Sequence, residues 1–158
     1  MNRIYRWLFG RGRTTLPARD GGAVQTVQVR LSPQELLDDR SVIIAYGLIS
    51  SPPVGADVLL VCGSGDRSDS VVIAHNHQQY RYTAAQPGEA GLHNGVCGST
   101  ILLKANGDVY IRPASGKVVM DGGTVTADDF ITTSGVKLSD HTHGGVQKGG
   151  DKTAGPQG

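Results

Sequence analysis

The sequence predicts an all-β chain in two parts. A small barrel comes first, followed by short strands that bury their apolar side chains only against further copies of the chain. Three observations predict it. Short β-branched runs recur between turns rich in Gly, Pro, Asn and Asp. Glycine is abundant, 23 of 158 residues, with no Gly-X-Y period, which excludes collagen and fits many tight reversals. Aromatic residues are only 5% of the chain, so a core made by one copy would be small, and oligomerisation is a common remedy for a small core.

The first segment, residues 1–22, differs from the rest. Ile4, Trp7 and Leu8 fall at helical spacing with Arg3 and Arg6 among them, which predicts a short amphipathic helix. Trp and Arg are favoured interface anchors, so this segment is expected to dock the chain to a larger assembly. Its apolar stretch is too short for a secretory signal and lacks a small-residue cleavage site. Leu16-Pro17-Ala18-Arg19-Asp20-Gly21-Gly22 reads as a linker or turn.

Residues 23–98 read as a barrel of the OB type. Val24, Val27 and Val29 are apolar with Gln25 and Gln28 between. Ser32-Pro33-Gln34-Glu35 has a capping-box pattern and predicts a short helix. Val42–Ser50 is a β-branched run, Pro52-Pro53-Val54-Gly55 a turn, Asp57–Cys62 a strand, and Val71–Ala74 a buried strand. A five-stranded Greek-key barrel fits this size. Gly63-Ser64-Gly65-Asp66 lacks the lysine and the following helix of a phosphate cradle. His75-Asn76-His77, beside bulky polar residues, reads as solvated loop histidines, and the isolated His93 as structural.

Residues 99–140 change rhythm. Ile101–Lys104, Val109–Arg112, Val118–Met120, Thr124–Thr126 and Phe130–Thr133 alternate with turns at Asn106-Gly107, Ser115-Gly116, Asp121-Gly122 and Ser134-Gly135. These strands are too short to bury a core alone. Three identical chains wound around one axis would bury it and leave few free sheet edges.

Residues 141–158 open on His141-Thr142-His143-Gly144-Gly145. In an extended chain, residues two apart point to one face about 6.5–7 Å apart, so both imidazoles can aim at one point. Neutral imidazole ligates first-row metals, but two ligands are too few for a closed site. Three chains would offer six, enough for an octahedral shell. Two solvated surface histidines are the plainer reading of the spacing alone.

Several classes are disfavoured. The formal net charge of +1 does not indicate a nucleic-acid binder. Cys62 and Cys97 form no Cys-x-x-Cys motif and are expected to be free thiols. No apolar run approaches the roughly 20 residues of a membrane helix. A metal-dependent hydrolase using the His-x-His is the alternative function. It needs further ligands, a general base and a pocket, and only Asp140 and Asp151 stand nearby. A peptidoglycan-cleaving insert has no room between residues 80 and 100.

The residues Pro52-Pro53-Val54-Gly55-Ala56-Asp57-Val58, Gly65-Asp66-Arg67, Val71-Val72-Ile73-Ala74, Gln79-Tyr80-Arg81, Pro87-Gly88-Glu89 and His141-Thr142-His143-Gly144-Gly145-Val146-Gln147 with Gly155-Pro156 carry a family resemblance. Over roughly residues 20–158 the chain resembles the phage Mu-type baseplate assembly proteins, the central tail spikes of contractile-tailed phages, with P2-type relatives. The resemblance implies an OB-fold, then a trimeric triple-stranded β-helix, then a metal-bound apex. It implies that His141 and His143 of three chains hold one iron ion per homotrimer through six ligands. It further implies a non-enzymatic spike at the baseplate tip of the virion, bound to the tail hub, that transiently pierces the host outer membrane. The β-helical segment is short, so the expected shaft is stubby.

Overall fold

A computed structural model describes residues 8–142 and Gly145. The chain divides into one unit ending at Lys117 and a second beginning at Val118. The described residues form eight strands, β1 (Phe9–Thr14), β2 (Thr26–Ser32), β3 (Glu35–Val42), β4 (Asp57–Cys62), β5 (Ser70–Asn76), β6 (Ala90–Asn94), β7 (Ser99–Leu103) and β8 (Val109–Arg112).

The first five strands close a barrel in the order β1-β2-β3-β5-β4. All neighbours are antiparallel except β3 and β5, which run parallel through Ser41–Val71 and Val42–Val72. The all-β class and the five-stranded barrel stand as expected. Alternation builds the interior: Val58, Leu60 and Cys62 of β4 point inward, and Val27, Val29, Val42 and Val72 meet them. Leu31, Leu37 and Ile44 pack around that cluster. Between Val27 and Val29 the β2–β3 ladder slips, and Asp39 of β3 takes a left-handed φ of 60°. An extra residue in one strand makes such a bulge, and Asp tolerates that conformation better than most side chains.

Two readings are corrected. Residues 1–22 are not a docking segment separate from the barrel, because Phe9–Thr14 is barrel strand β1. Its inward positions are Gly10 and Gly12, whose missing side chains are replaced by Leu31 and Val29 from β2. Ile4 and Trp7 of the expected helix lie outside the described residues. The helix at Ser32 is absent. Pro33 and Gln34 form a tight turn, and Glu35 pairs with Ser32 across the β2–β3 hairpin. Glu35 is bound by Arg67, 2.6 Å away, rather than by a helix terminus. Of the β-branched run Val42–Ser50 only the first residue is in a strand: β3 ends at Val42, and Ile43 makes one last bond to the Val72 carbonyl.

β6, β7 and β8 form an antiparallel sheet, so pairing begins at Ala90, ahead of the expected boundary between residues 98 and 99. The Asn106-Gly107 turn joins β7 to β8, with Gly107 at φ 95° donating to the Lys104 carbonyl. One face carries two cross-strand rows, Leu92–Ile101–Ile111 and Ala90–Leu103–Val109. The large side chains in these rows are 41–60% exposed. From Val118 to Leu138 the expected strands find no ladder among the described residues beyond the single Ile131–Lys137 bridge. Val118, Val119, Met120, Val125, Phe130, Ile131, Val136 and Leu138 are each 47–68% exposed. A strand needs a neighbour to pair its backbone, and among the described residues this segment has only that bridge.

Candidate functional site

The segment carrying His141 is organised by one carboxylate. Asp129 accepts from the Phe130 amide at 2.8 Å, from the Ser139 amide at 3.2 Å and from the Ser139 hydroxyl at 2.8 Å. Leu138 donates its amide to the Phe130 carbonyl, and Thr132 and Val136 close the intervening turn. Residues 129–139 thus form a loop with joined ends. The hydrogen bonds from Ser139 hold the Asp129 carboxyl below the usual carboxylate range. No periodic signal in the sequence marks Asp129, ten residues before its partner.

His141 follows this loop and is exposed. Its ring Nδ1 lies 2.8 Å from the Leu138 carbonyl. A carbonyl can only accept, so Nδ1 carries the proton in this contact, and the neutral ring's lone pair is left on Nε2. Ligating histidines are commonly oriented by such a bond through the other nitrogen. The donor chemistry fits a first-row metal, and Nε2 is the atom that would ligate it. His143 lies outside the described residues, as do Gly144, Val146 and all that follows. Among the described residues, no three His, Cys, Asp or Glu side chains come together as a metal site.

The second His-x-His sits elsewhere and differs from its reading as solvated loop residues. His75 belongs to β5, opposite Val58, and is half-buried. That burial lowers its pKa. The His77 ring packs on Tyr80 with centroids 4.5 Å apart, and its Nε2 is 3.4 Å from the Val54 carbonyl. His93 Nδ1 meets the Thr100 hydroxyl at 2.8 Å, a structural role as expected. The three rings line one cavity of about 630 Å³ with Tyr80, Arg81 and Tyr82.

The remaining motifs are structural. Gly63–Gly65 and Arg67–Asp69 are single 3₁₀ turns, and the Asp66 carboxylate caps the second by accepting from the Ser68 amide. Cys62 is buried and Cys97 exposed, both as free thiols. No described helix is long and apolar enough to cross a membrane.

Comparison with known proteins adds the following. Residues 11–79, from β1 to just past β5, match the family described as Bacteriophage Mu Gp45, N-terminal. Residues 135–157 match the GpV Apex motif, which spans His141 and His143. Over 114 residues the sequence is 32% identical to the baseplate puncturing device gp45 of Escherichia phage Mu. That alignment covers 72% of this chain and 57% of the phage Mu protein, so the chain spans little more than half of the relative's length.

Proposed function

We propose that this chain, which belongs to the Mu-type baseplate spike family through its barrel and its apex motif, is the central spike of a contractile phage tail. In this reading it sits at the baseplate tip of the virion and pierces the host outer membrane without catalysing a reaction. One observation carries the reading: a Mu Gp45-type barrel is followed in the same chain by an apex motif that encloses a His-x-His.

The working unit is a homotrimer. The apolar rows of β6–β8 and the exposed side chains from Val118 to Leu138 support it, since contiguous exposed apolar surface marks an interaction face. Three copies would give backbone partners to the runs from Val118 to Leu138, complete the expected triple-stranded β-helix of residues 99–140 and bury those side chains. A narrow tip has no room for a hydrophobic core, and a bound metal can stabilise it instead, because ligand binding to the folded state adds to stability. His141 and His143 of each chain would hold that ion, iron by family resemblance. Here the metal's contribution is mechanical cross-linking. The Leu138 carbonyl holds the His141 ring and the Asp129 loop presents it, which would fix the ring for such an ion.

The barrel would dock to the tail hub. Gold-labelled antibody against this chain should decorate the baseplate tip of tails made by its source. Label confined to the head, sheath or culture supernatant would overturn the reading.

A further inference from the structure

We propose that the outer face of β1 and β2 is a docking surface for an acidic segment of a partner protein, whose carboxylates are received by Arg11, Arg13 and Arg30. This deepens the docking role above and rests on that reading only for the expectation that the barrel end meets another baseplate protein.

The register creates a charge that the barrel does not neutralise. Arg13 and Arg30 stand directly opposite each other across β1 and β2. Like charges in that position destabilise a sheet. Asp57, the partner of Arg13 on β4, accepts from the Arg13 Nε at 2.7 Å. Among the described residues, Arg30 makes only a long 3.5 Å side-chain contact, to the Pro33 carbonyl. Arg11 makes no ion pair among the described residues, and its β4 neighbour is Leu59. Three exposed guanidinium groups thus share one carboxylate. They border a groove of about 620 Å³, lined between them by Gly12, Leu31 and Pro33.

The chemistry of the face selects a protein partner. Every basic residue before Lys104 is an arginine. Arginine is enriched and lysine depleted at protein interfaces, and the planar fork binds carboxylates in a bidentate manner. Phe9, 49% exposed, continues the β1 row beside Arg11 and gives the patch an apolar flank. β1 pairs on both sides within a closed barrel, so a partner cannot add a strand there. Recognition must run through side chains. The overall charge of +1 argues against a general polyanion binder, while leaving this local excess in place.

The test titrates the full chain, at low salt, with fluorescein-labelled short poly-L-glutamate. Single-stranded DNA of matched length and phosphatidylglycerol vesicles are run in parallel. Poly-glutamate should bind, and the triple variant Arg11→Gln/Arg13→Gln/Arg30→Gln should weaken it about tenfold, three exposed pairs at roughly 0.5 kcal/mol each. The single variant Arg30→Gln should lose about a third of that free energy and serves if the triple variant does not fold. A charge-matched control, Arg81→Gln/Arg112→Gln/Lys117→Gln, should keep binding. Equal loss in the control would overturn the proposal, as would absence of poly-glutamate binding. Tighter binding of DNA or vesicles through the same three arginines would overturn the partner class. A change of oligomeric state in the triple variant would reassign the face to contacts between copies of this chain. Poly-glutamate binding by a chain that forms no trimer would sustain the proposal while defeating the spike reading.

Discussion

The Thr14 hydroxyl accepts a hydrogen bond from the Ala56 amide at 3.0 Å, inside the barrel, where Thr14 is 3% exposed and Ala56 fully buried. The same oxygen accepts from the Gly55 amide at 3.0 Å and approaches the Pro53 carbonyl at 3.3 Å. One side chain at the end of β1 thereby fixes the Pro52-Pro53-Val54-Gly55 turn that leads into β4. Thr14→Val keeps the shape and removes the acceptor. It should destabilise the chain by about 1 kcal/mol, read from the urea midpoint, because the buried Ala56 amide keeps only its 3.2 Å bond to the Pro53 carbonyl and the Gly55 amide only its bond to the Thr14 carbonyl.

Truncation should divide sharply within the first 20 residues. Removing residues 1–7 leaves β1 intact and should leave the barrel folded. Removing residues 1–20 deletes β1, exposes Leu60 and Val29, and should abolish the cooperative unfolding transition. Equal melting of the two truncated proteins would contradict the strand assignment.

The barrel was legible where its inward positions carry apolar side chains. Asp57–Cys62 reads as a strand because it is apolar almost throughout, while the inward set, Val58, Leu60 and Cys62, shows only in the burial pattern because Leu59 and Val61 are apolar too. β1 was illegible because its inward positions are glycines, which leave no hydrophobic signal. Its fill comes from Leu31 on the neighbouring strand. At Ser32 a helix-capping pattern competed with a two-residue hairpin, and the hairpin prevailed because Arg30 and Leu36 already pair across it. His141 stands out by spacing as a candidate ligand. The loop that presents it could not, since the Asp129–Ser139 contact spans ten residues without a motif.

Glu89 should make stability acid-sensitive. Its side chain is only 3% exposed and lies 2.7 Å from the Lys104 ammonium. The Gln86 amide, and then Lys104, lower its pKa from 4.5. A depressed carboxylate pKa contributes stability that is present above 4.5 and lost as the pH falls below it. Glu89→Gln should lower the melting temperature at pH 7 and have little effect at pH 3. An equal drop at both pH values would contradict the charge-based account.

Asp129 should act through His141. Asp129→Ala removes the bonds to Ser139 and frees the loop that orients the ring. Metal retention against a chelator should fall about tenfold, as expected for the loss of an orienting partner. The barrel melt should stay unchanged. Unaltered retention would mean that the loop does not position the ligand.

The most direct test of the central claim is native mass spectrometry of the purified chain, with elemental analysis of the same sample. The spike account predicts three chains and one iron ion per assembly. It also predicts that His141→Ala/His143→Ala loses the metal while the barrel remains folded. A well-folded monomer, or a double variant that retains one ion per trimer, would contradict it.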